Sequence, residues 1–464
     1  MAAHALHPIS APPAAPIREK FGHLLVRAWC IFVLVAGFAG TSWLMAFGVA
    51  GTAVVAYGSG LISMILWIVL RPGVQWRRLP WLAVGYVAWA TCSILWSAYP
   101  ASTVPTLLLL LSTTVQAMFV GSVLTWRELV RSIASALKWV LGVSLAFEIW
   151  VSLVWGGPVM PGFGRPGRGV DPIEMWSRDN LFDGGRIQGV FGNANALAYV
   201  ALLGIVVFSI RIASRAPRRP FLYAWIVVAA FLFFRAASAT ATLAAAAVAV
   251  VLAAALIMRA SRRAGVRTRL HLAYAVIALG GLGALCVARD GVFALLGRSS
   301  DLSGRERIWE AVGDRAAERP VQGWGFSTPW IPTDPAFDGW IVDHGVTVMQ
   351  AHNMWLDVFL QLGVIGVSLM ALTVFAFGWR AWFFAIDRPR SDFVADRPYS
   401  ALTLLPPLVA ALLLVQGLAE STPLLGWGWM LLVMFSFKIK QTPLLSRGPA
   451  EQRPVGEQGE RLPT

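Results

Sequence analysis

Three short polar clusters interrupt a chain that is otherwise strongly apolar. The first is RIQGVFGNAN at 186–195, where an apolar run begins. An arginine at a helix N-terminus is repelled by the helix dipole unless it shares an anion with the free amides of the first turn. Arg186 is therefore a candidate anion ligand, and Asn193 and Asn195 are candidates for helix caps or for contacts with sugar hydroxyls. The structural alternative is that Arg186 reaches the lipid headgroups and that the asparagines only cap a helix.

The second cluster is SGRERIW at 303–309, followed by PVQGWG at 320–325. Ser303 is a good helix cap, so the pattern predicts an amphipathic surface helix over residues 305–317 that lies on the outer leaflet. Most charges of this helix form a solvated face. Arg305 differs because it occupies the first turn beside a glycine, which permits close approach of a ligand, and it is the second candidate anion ligand.

The third cluster is AHNMWL, which begins at Ala351 and leads into another apolar run. His352 could serve as a general base or orient a hydroxyl near neutral pH, with Asn353 beside it. The alternative is an interfacial polar residue, and His344 competes for the same role. Asp357 lies five positions on, about 140° around a helix, so it is not an obvious partner for His352.

The composition identifies the elements that carry these clusters. The chain has 464 residues, of which 57% are hydrophobic and 13% charged, and its mean hydropathy is +0.65. Soluble proteins carry about 25% charged residues, so this composition indicates an all-α polytopic membrane protein. Twelve runs are long and apolar enough to predict about twelve transmembrane helices. They lie near 28–47, 49–70, 80–97, 103–124, 136–156, 190–210, 220–235, 237–258, 271–289, 352–376, 401–420 and 422–438.

The charges predict the orientation of these helices. With a cytoplasmic N-terminus, the inner segments sum to a net charge of +19 and the outer loops to −3. This is the positive-inside pattern, so the formal charge of +14 reflects topology and gives no indication of nucleic-acid binding. Both termini are then cytoplasmic. Residues 1–27 form an N-terminal segment, 28–438 the membrane domain with outer loops near 157–189 and 290–351, and 439–464 a disordered tail.

This topology places Arg186, Arg305 and His352 on the same outer face. Two arginines and a histidine there suit a substrate that carries a diphosphate and another that offers a nucleophilic hydroxyl. Glu148 and Glu420 are acids within or at the end of a span, and we assign them no role beyond pairing with arginines. The sequence shows no metal-ligand spacing.

The three clusters together resemble a known family. R-I-x-G-x-F-G-N-x-N, then G-R-x-x-x-W with P-x-x-G-x-G, then A-H-N-x-x-L with G-x-x-G occur in this order. They are similar to the motifs of the O-antigen ligase and Wzy-type polymerase superfamily, which includes exopolysaccharide polymerases and protein O-oligosaccharyltransferases. The resemblance covers roughly residues 80–438. It implies a GT-C-like glycosyltransferase of the inner (cytoplasmic) membrane with its active face on the periplasmic or extracellular side.

The resemblance also implies the chemistry. The donor would be a glycan on undecaprenyl diphosphate or a similar polyprenyl diphosphate, and transfer would be inverting, metal-independent and free of cofactors. Arg186 and Arg305 would bind the diphosphate and His352 would act on the acceptor, with Asn193, Asn195 and Asn353 supporting the substrates. The acceptor stays open among a glycan, a lipid and a protein, so ligase and polymerase are not separated.

The chain departs from the family pattern at one place. Members often carry a basic residue after a serine in the middle of the chain, whereas Ser238 is followed here by Ala239. Arg235, one turn earlier, could substitute for it in substrate binding. The rival function is a transporter or flippase of lipid-linked glycans, which would need polar groups along a path through the membrane. The spans are nearly bare of such groups, and this favours a transferase.

Overall fold

The computed structural model describes residues 17–261, 263–287, 305–343, 345–387 and 398–442. Ser303, His344 and most of the two predicted terminal segments therefore lie outside the described residues. Within them the chain forms thirteen α-helices. These are α1 (Ile17–Ala39), α2 (Thr41–Leu70), α3 (Trp81–Cys92), α4 (Pro100–Val123), α5 (Trp126–Trp150), α6 (Ala194–Ala213), α7 (Arg219–Ala236), α8 (Ala239–Ala260), α9 (Ala264–Val287), α10 (Arg305–Glu318), α11 (Met354–Ile386), α12 (Leu405–Ala419) and α13 (Gly426–Gln441).

Strand structure is minimal in the described residues. β1 (Val342–Asp343) and β2 (Val346–Thr347) pair antiparallel, with Val342 opposite Thr347. α5 continues as a wider helical turn, Val151–Trp155, and single 3-10 turns follow or precede several helices. These turns are Trp76–Arg78, Ser93–Leu95, Pro161–Phe163, Pro172–Glu174, Gly189–Phe191, Ala401–Leu404 and Thr422–Leu424.

The helices agree with the apolar runs of the sequence. Each of the twelve runs overlaps a helix, and in the described part nine helical segments are long and apolar enough to cross a membrane. The prediction of an all-α polytopic membrane protein is confirmed at this level, whereas the number of about twelve spans and the cytoplasmic termini stay predictions. One boundary differs from the prediction. The predicted runs 28–47 and 49–70 meet at Gly48, whereas the chain turns at Gly40, and Gly48 is only a break inside α2.

Local sequence explains where several helices begin. Thr125 and Glu128 form a reciprocal capping box at the start of α5. Asn193 caps α6, Ser238 caps α8 and Asn353 caps α11, each through a side-chain oxygen that accepts from first-turn amides. The last three caps belong to the polar segments singled out in the sequence, so helix initiation and the candidate site use the same residues.

The helices pack into one bundle with a shared apolar core. α12 packs against α8 and α11, α13 against α4, and α6 against α5 and α7, while α11 also contacts α3 and α10. α2 buries only three of its residues, Ser59, Gly60 and Ser63, as expected of a helix at the lipid boundary. Because α12 is surrounded by other helices, a polar group at its end is enclosed by protein.

Residues 320–325 pack against a break in α11. Gly363 has φ 64°, and a side chain there would collide with the backbone of Val321. The amide of Val364 donates to the carbonyl of Pro320 at 2.8 Å, and that of Trp324 donates to the carbonyl of Leu360 at 2.9 Å. The P-x-x-G-x-G and G-x-x-G motifs thus dock one backbone onto another, and this fixes α10 relative to α11.

The surface helix predicted over residues 305–317 is present as α10. Glu306, Arg307, Glu310 and Asp314 are exposed, and the apolar face of α10 buries Ile308, Val312 and Ala316 at four-residue intervals. These residues pack in a small core that includes Trp330 and Phe337. The apolar face therefore packs against protein, whereas the sequence analysis expected a helix lying on the outer leaflet.

Candidate functional site

The carboxylate of Glu420 is the centre of a polar cluster at one end of the bundle. Glu420 follows the last residue of α12 and is 4% exposed. Its Oε1 accepts from Asn195 Nδ2 at 2.9 Å and from Arg305 Nη2 at 3.2 Å, and its Oε2 lies 3.0 Å from Nδ1 of His352. One buried carboxylate therefore joins residues of all three polar clusters.

Arg305 lies over the C-terminus of α12. Its Nη1 donates to the carbonyl of Ala419 at 2.8 Å, and its Nη2 forms the ion pair with Glu420. A cation at a helix C-terminus is stabilised by the dipole. Because a guanidinium carries five N–H donors, the cation keeps donors for a further anion.

His352 occupies the turn before α11. Its backbone is left-handed, with φ 51°, a conformation that costs a side-chain-bearing residue roughly 1–2 kcal/mol. Asn353 next to it caps the helix by accepting from the amides of Trp355 and Leu356 at 3.0 and 3.4 Å. The cap and the contact with Glu420 hold the imidazole at the mouth of the cluster, where 27% of its side chain is exposed.

Arg186 joins the cluster through Asn195. Its Nη2 donates to Asn195 Oδ1 at 2.8 Å, and its Nε donates to the carbonyl of Ala236 at 2.9 Å. Ser238 also donates to Asn195 Oδ1, at 2.9 Å. Asn195 thus places Arg186 near Arg305. Asn193 instead caps α6, because its side-chain oxygen accepts from the amides of residues 195 and 196 at 2.8 and 3.1 Å.

Arg235 has other direct partners. Its Nη2 donates to the carbonyls of Asn180 and Leu181 at 2.6 and 3.0 Å, and its own carbonyl accepts from the amide of Ile187 at 3.2 Å. These bonds attach the loop that precedes α6 to the end of α7, just before the Arg186 contact at Ala236. The structure therefore shows Arg235 holding the loop that carries Arg186.

Two buried acids hold in place the backbone segments that adjoin the cluster. Glu148 accepts from Ser177 Oγ at 2.9 Å and from the amides of Gln188 and Gly189 at 3.0 and 2.6 Å, so its described bonds fix the turn after Arg186 and involve no arginine. Gly189 has φ 56°, and a Cβ there would press on Ser144. Glu420 has the arginine partner expected from the sequence, Arg305, whereas the described bonds of Glu148 come from a serine hydroxyl and two backbone amides.

Asp357 is the second of these acids. Its Oδ2 accepts from the amide of Ala351 at 3.0 Å and from the hydroxyl of Ser421. It therefore ties together the residues that adjoin His352 and Glu420. The sequence spacing was correct in showing that Asp357 is no direct partner of His352, but it did not reveal this indirect link.

The electrostatics keep Glu420 ionised. Burial alone would raise the pKa of its carboxyl, but the hydrogen bond and charge of His352, followed by the charge of Arg305, outweigh burial and hold that pKa below its usual range. A missed signal was available here, because Glu420 is an acid at the end of an apolar run that the charge pattern already predicted to face the same side as Arg186 and Arg305.

A cavity of about 350 Å³ adjoins the cluster. Asn193, Gln350 and Glu420 line one part of it, and the other lining residues, mainly apolar in surface, come from α1, α2, α4, α6, α12, the start of α13 and neighbouring turns. An apolar cavity with a polar end is typical of sites that take amphipathic ligands.

The fold and the cluster define a class. The chain is a multi-pass helical membrane protein in which two arginines, a histidine and a carboxylate meet at one end of the bundle, an arrangement suited to anion binding and proton transfer.

The comparisons narrow that class. Residues 224–371 match the family model described as O-Antigen ligase, and the match confirms the resemblance to the O-antigen ligase and Wzy-type superfamily. It supports glycosyl transfer of the ligase or polymerase type in broad terms. No curated protein matches the chain. The matched segment contains Arg305 and His352, whereas Arg186, Asn195 and Glu420 lie outside it.

Proposed function

We propose that this protein transfers a glycan from a polyprenyl-diphosphate carrier to an acceptor hydroxyl at the outer face of the cytoplasmic membrane. The observation that carries the proposal is the convergence of Arg305, His352 and Asn195 on one carboxylate, with Arg186 bonded to Asn195. The family match supports the same class of reaction. In the proposal residues 28–438 form the membrane domain and both termini are cytoplasmic.

Arg186 and Arg305 bind the diphosphate. When the bond between the anomeric carbon and the diphosphate oxygen breaks, its electron pair stays on the oxygen and negative charge builds there. Fixed cations at that place stabilise the transition state more than the ground state. This proposed route uses no metal ion, because the two guanidinium groups neutralise the leaving group.

His352 acts on the acceptor. It takes the proton of the acceptor hydroxyl while the hydroxyl oxygen attacks the anomeric carbon, and the diphosphate leaves from the opposite side. A single displacement inverts that carbon. Asn193, Asn195 and Asn353 position the substrates or the groups that bind them, and Arg235 acts through the loop that carries Arg186.

The test is glycan transfer by purified protein, with a defined polyprenyl-diphosphate glycan as donor. Arg305→Ala and His352→Ala should each lower kcat/KM on the order of 10³-fold, the scale of losing one charge-stabilising or proton-transferring group. Arg307→Ala is the matched control, because Arg307 lies on the same helix and its side chain is 68% exposed. Both site variants should still insert into membranes and elute as folded protein.

Normal product from Arg305→Ala or His352→Ala would contradict the assignment. The transporter alternative is separated in the same experiment by reconstituting the wild-type protein in liposomes. Movement of the lipid-linked glycan between leaflets without any transfer would favour that alternative, whereas transfer to an added acceptor favours the transferase.

A further inference from the structure

The contact between His352 and Glu420 selects one ring nitrogen. Nδ1 lies 3.0 Å from Oε2, and within the described residues Nε2 has no hydrogen-bond partner. An ionised carboxylate only accepts hydrogen bonds, so Nδ1 carries the hydrogen and the lone pair is on Nε2. The ring is therefore held in the form in which Nε2 can accept a proton.

Gln350 strengthens this arrangement. Its Oε1 accepts from the amide of Ser421 at 3.3 Å, which places its amide nitrogen 3.5 Å from Oε2 of Glu420 and 3.3 Å from Nδ1 of His352. Because Nδ1 carries a hydrogen that it donates to Oε2, the amide nitrogen donates to Oε2 and not to the ring. Oε2 thus faces donors from Gln350 and His352, and Oε1 faces donors from Asn195 and Arg305. With four donors around it the carboxylate has little freedom to turn away from the imidazole.

Burial separates the two members of the pair. The side chain of Glu420 is 5% exposed and that of His352 is 27% exposed. The carboxylate is thus enclosed, while the ring reaches the open side of the cluster. This is the order expected when an acid orients a histidine and the histidine meets the substrate.

We propose that Glu420 is the positioning residue of this site, which holds His352 with Nε2 towards the acceptor and stabilises the imidazolium that forms. The inference rests on the proposed function. In the step, the acceptor O–H proton moves to Nε2, the acceptor oxygen bonds to the anomeric carbon, and the carbon–oxygen bond to the diphosphate breaks with its electron pair on the diphosphate. Glu420 stays ionised throughout, because its charge offsets the charge that His352 gains.

The experiment compares Glu420→Gln with Glu128→Gln in the same transfer assay. Glu128 is a matched control, because it also pairs with a histidine, His23, at 2.7 Å, but at the start of α5 rather than in this cluster. We expect Glu420→Gln to lower kcat on the order of 10²-fold or more, with a smaller change in donor KM, and Glu128→Gln to keep kcat within about threefold. In Glu420→Gln the acidic limb of the kcat profile should also move to lower pH, because an imidazolium without its carboxylate is less stable.

Glu420→Asp covers the case in which Glu420→Gln does not fold. This variant keeps the negative charge but moves the carboxylate away from His352 by the length of one methylene. Its kcat should therefore fall between those of the wild type and of His352→Ala. Wild-type kcat with an unmoved pH profile in Glu420→Gln, or wild-type kcat in Glu420→Asp, would overturn the role of Glu420. If the wild-type protein transfers no glycan at all, the proposed function fails, whereas active Glu420 variants beside an inactive Arg305→Ala would refute only the role of Glu420.

Discussion

The protein contains two histidine–glutamate pairs, one at each end of the bundle. His23 Nε2 lies 2.7 Å from Glu128 Oε1 where α5 begins, and His352 Nδ1 lies 3.0 Å from Glu420 Oε2 where α12 ends. α5 alone is about 36 Å long at 1.5 Å per residue, so the bundle separates the pairs widely. The same two side chains thus occur in two settings.

The partners of the carboxylates distinguish the pairs. Glu128 gives its other oxygen to the backbone amide and hydroxyl of Thr125, three residues away, at 3.0 and 2.9 Å. The partners of Glu420 are 68 to 225 residues away along the chain. The Glu128 carboxylate caps the helix that it belongs to and so stabilises the fold. The Glu420 carboxylate holds distant segments together and so can assemble a reactive site.

Gly363→Ala should break the His352–Glu420 pair and leave the His23–Glu128 pair intact. A Cβ at this left-handed position lies 2.1 Å from the carbonyl oxygen of Val321, so the segment that fixes α10 on α11 must move. We expect a loss of roughly 3 kcal/mol or more in stability, from the backbone strain plus the clash, and loss of transfer. Thermal denaturation of the purified protein and the transfer assay measure both.

Gly378→Ala is the control in the same helix. Nothing lies within 4 Å of a Cβ there, so this variant should be neutral or slightly more stable. A Gly363→Ala protein as stable and active as Gly378→Ala would show that the docking of residues 320–325 onto the α11 break does not hold the site.

Much of the fold was predictable because it follows from local composition. Long apolar runs and asparagine caps are read directly along the chain, and each predicted run overlaps a helix. The turn between the first two helices was harder to place, because Gly40 and Gly48 both permit a break and only packing selects between them. The docking of Gly323 and Gly325 onto α11 is likewise a contact between distant backbone segments, and the local periodicity of the sequence does not predict such contacts.

The site was predictable in its cations and less so in its acids. Arg186, Arg305 and His352 stood out because the charge pattern predicts that they lie on the outer side, where basic residues are depleted. Glu420 was seen but given only an arginine as partner, since nothing in the spacing of residues 352 and 420 reveals a contact. Long-range pairing depends on how α11 and α12 pack, and a single sequence does not specify that.

A smaller effect separates the caps that accompany the two pairs. Thr125→Ala removes the capping box beside Glu128, and Asn353→Ala removes the α11 cap beside His352. Each should cost about 1 kcal/mol of stability, seen as a similar drop in melting temperature. Only Asn353→Ala should also lower kcat, on the order of tenfold, because His352 loses the support of its backbone. Equal kcat in the two variants would mean that the His352 turn holds itself without the cap.

The smallest effect concerns acid stability at the His352–Glu420 pair. The lowered pKa of Glu420 means that its ionised form favours the folded state, so this contribution is complete above the pKa of an unfolded glutamate and is lost as pH falls through the folded value. The charged groups that contact it are His352 and Arg305, and its neighbours Asn195 and Gln350 are neutral. The melting-temperature advantage of the wild type over Glu420→Gln should therefore persist at pH 6 and shrink only below about pH 4.5. If the wild type has already lost its melting-temperature advantage over Glu420→Gln at pH 6, a group other than Glu420 is the one that becomes protonated. The Glu420 carboxylate would then no longer explain what holds this end of the bundle together.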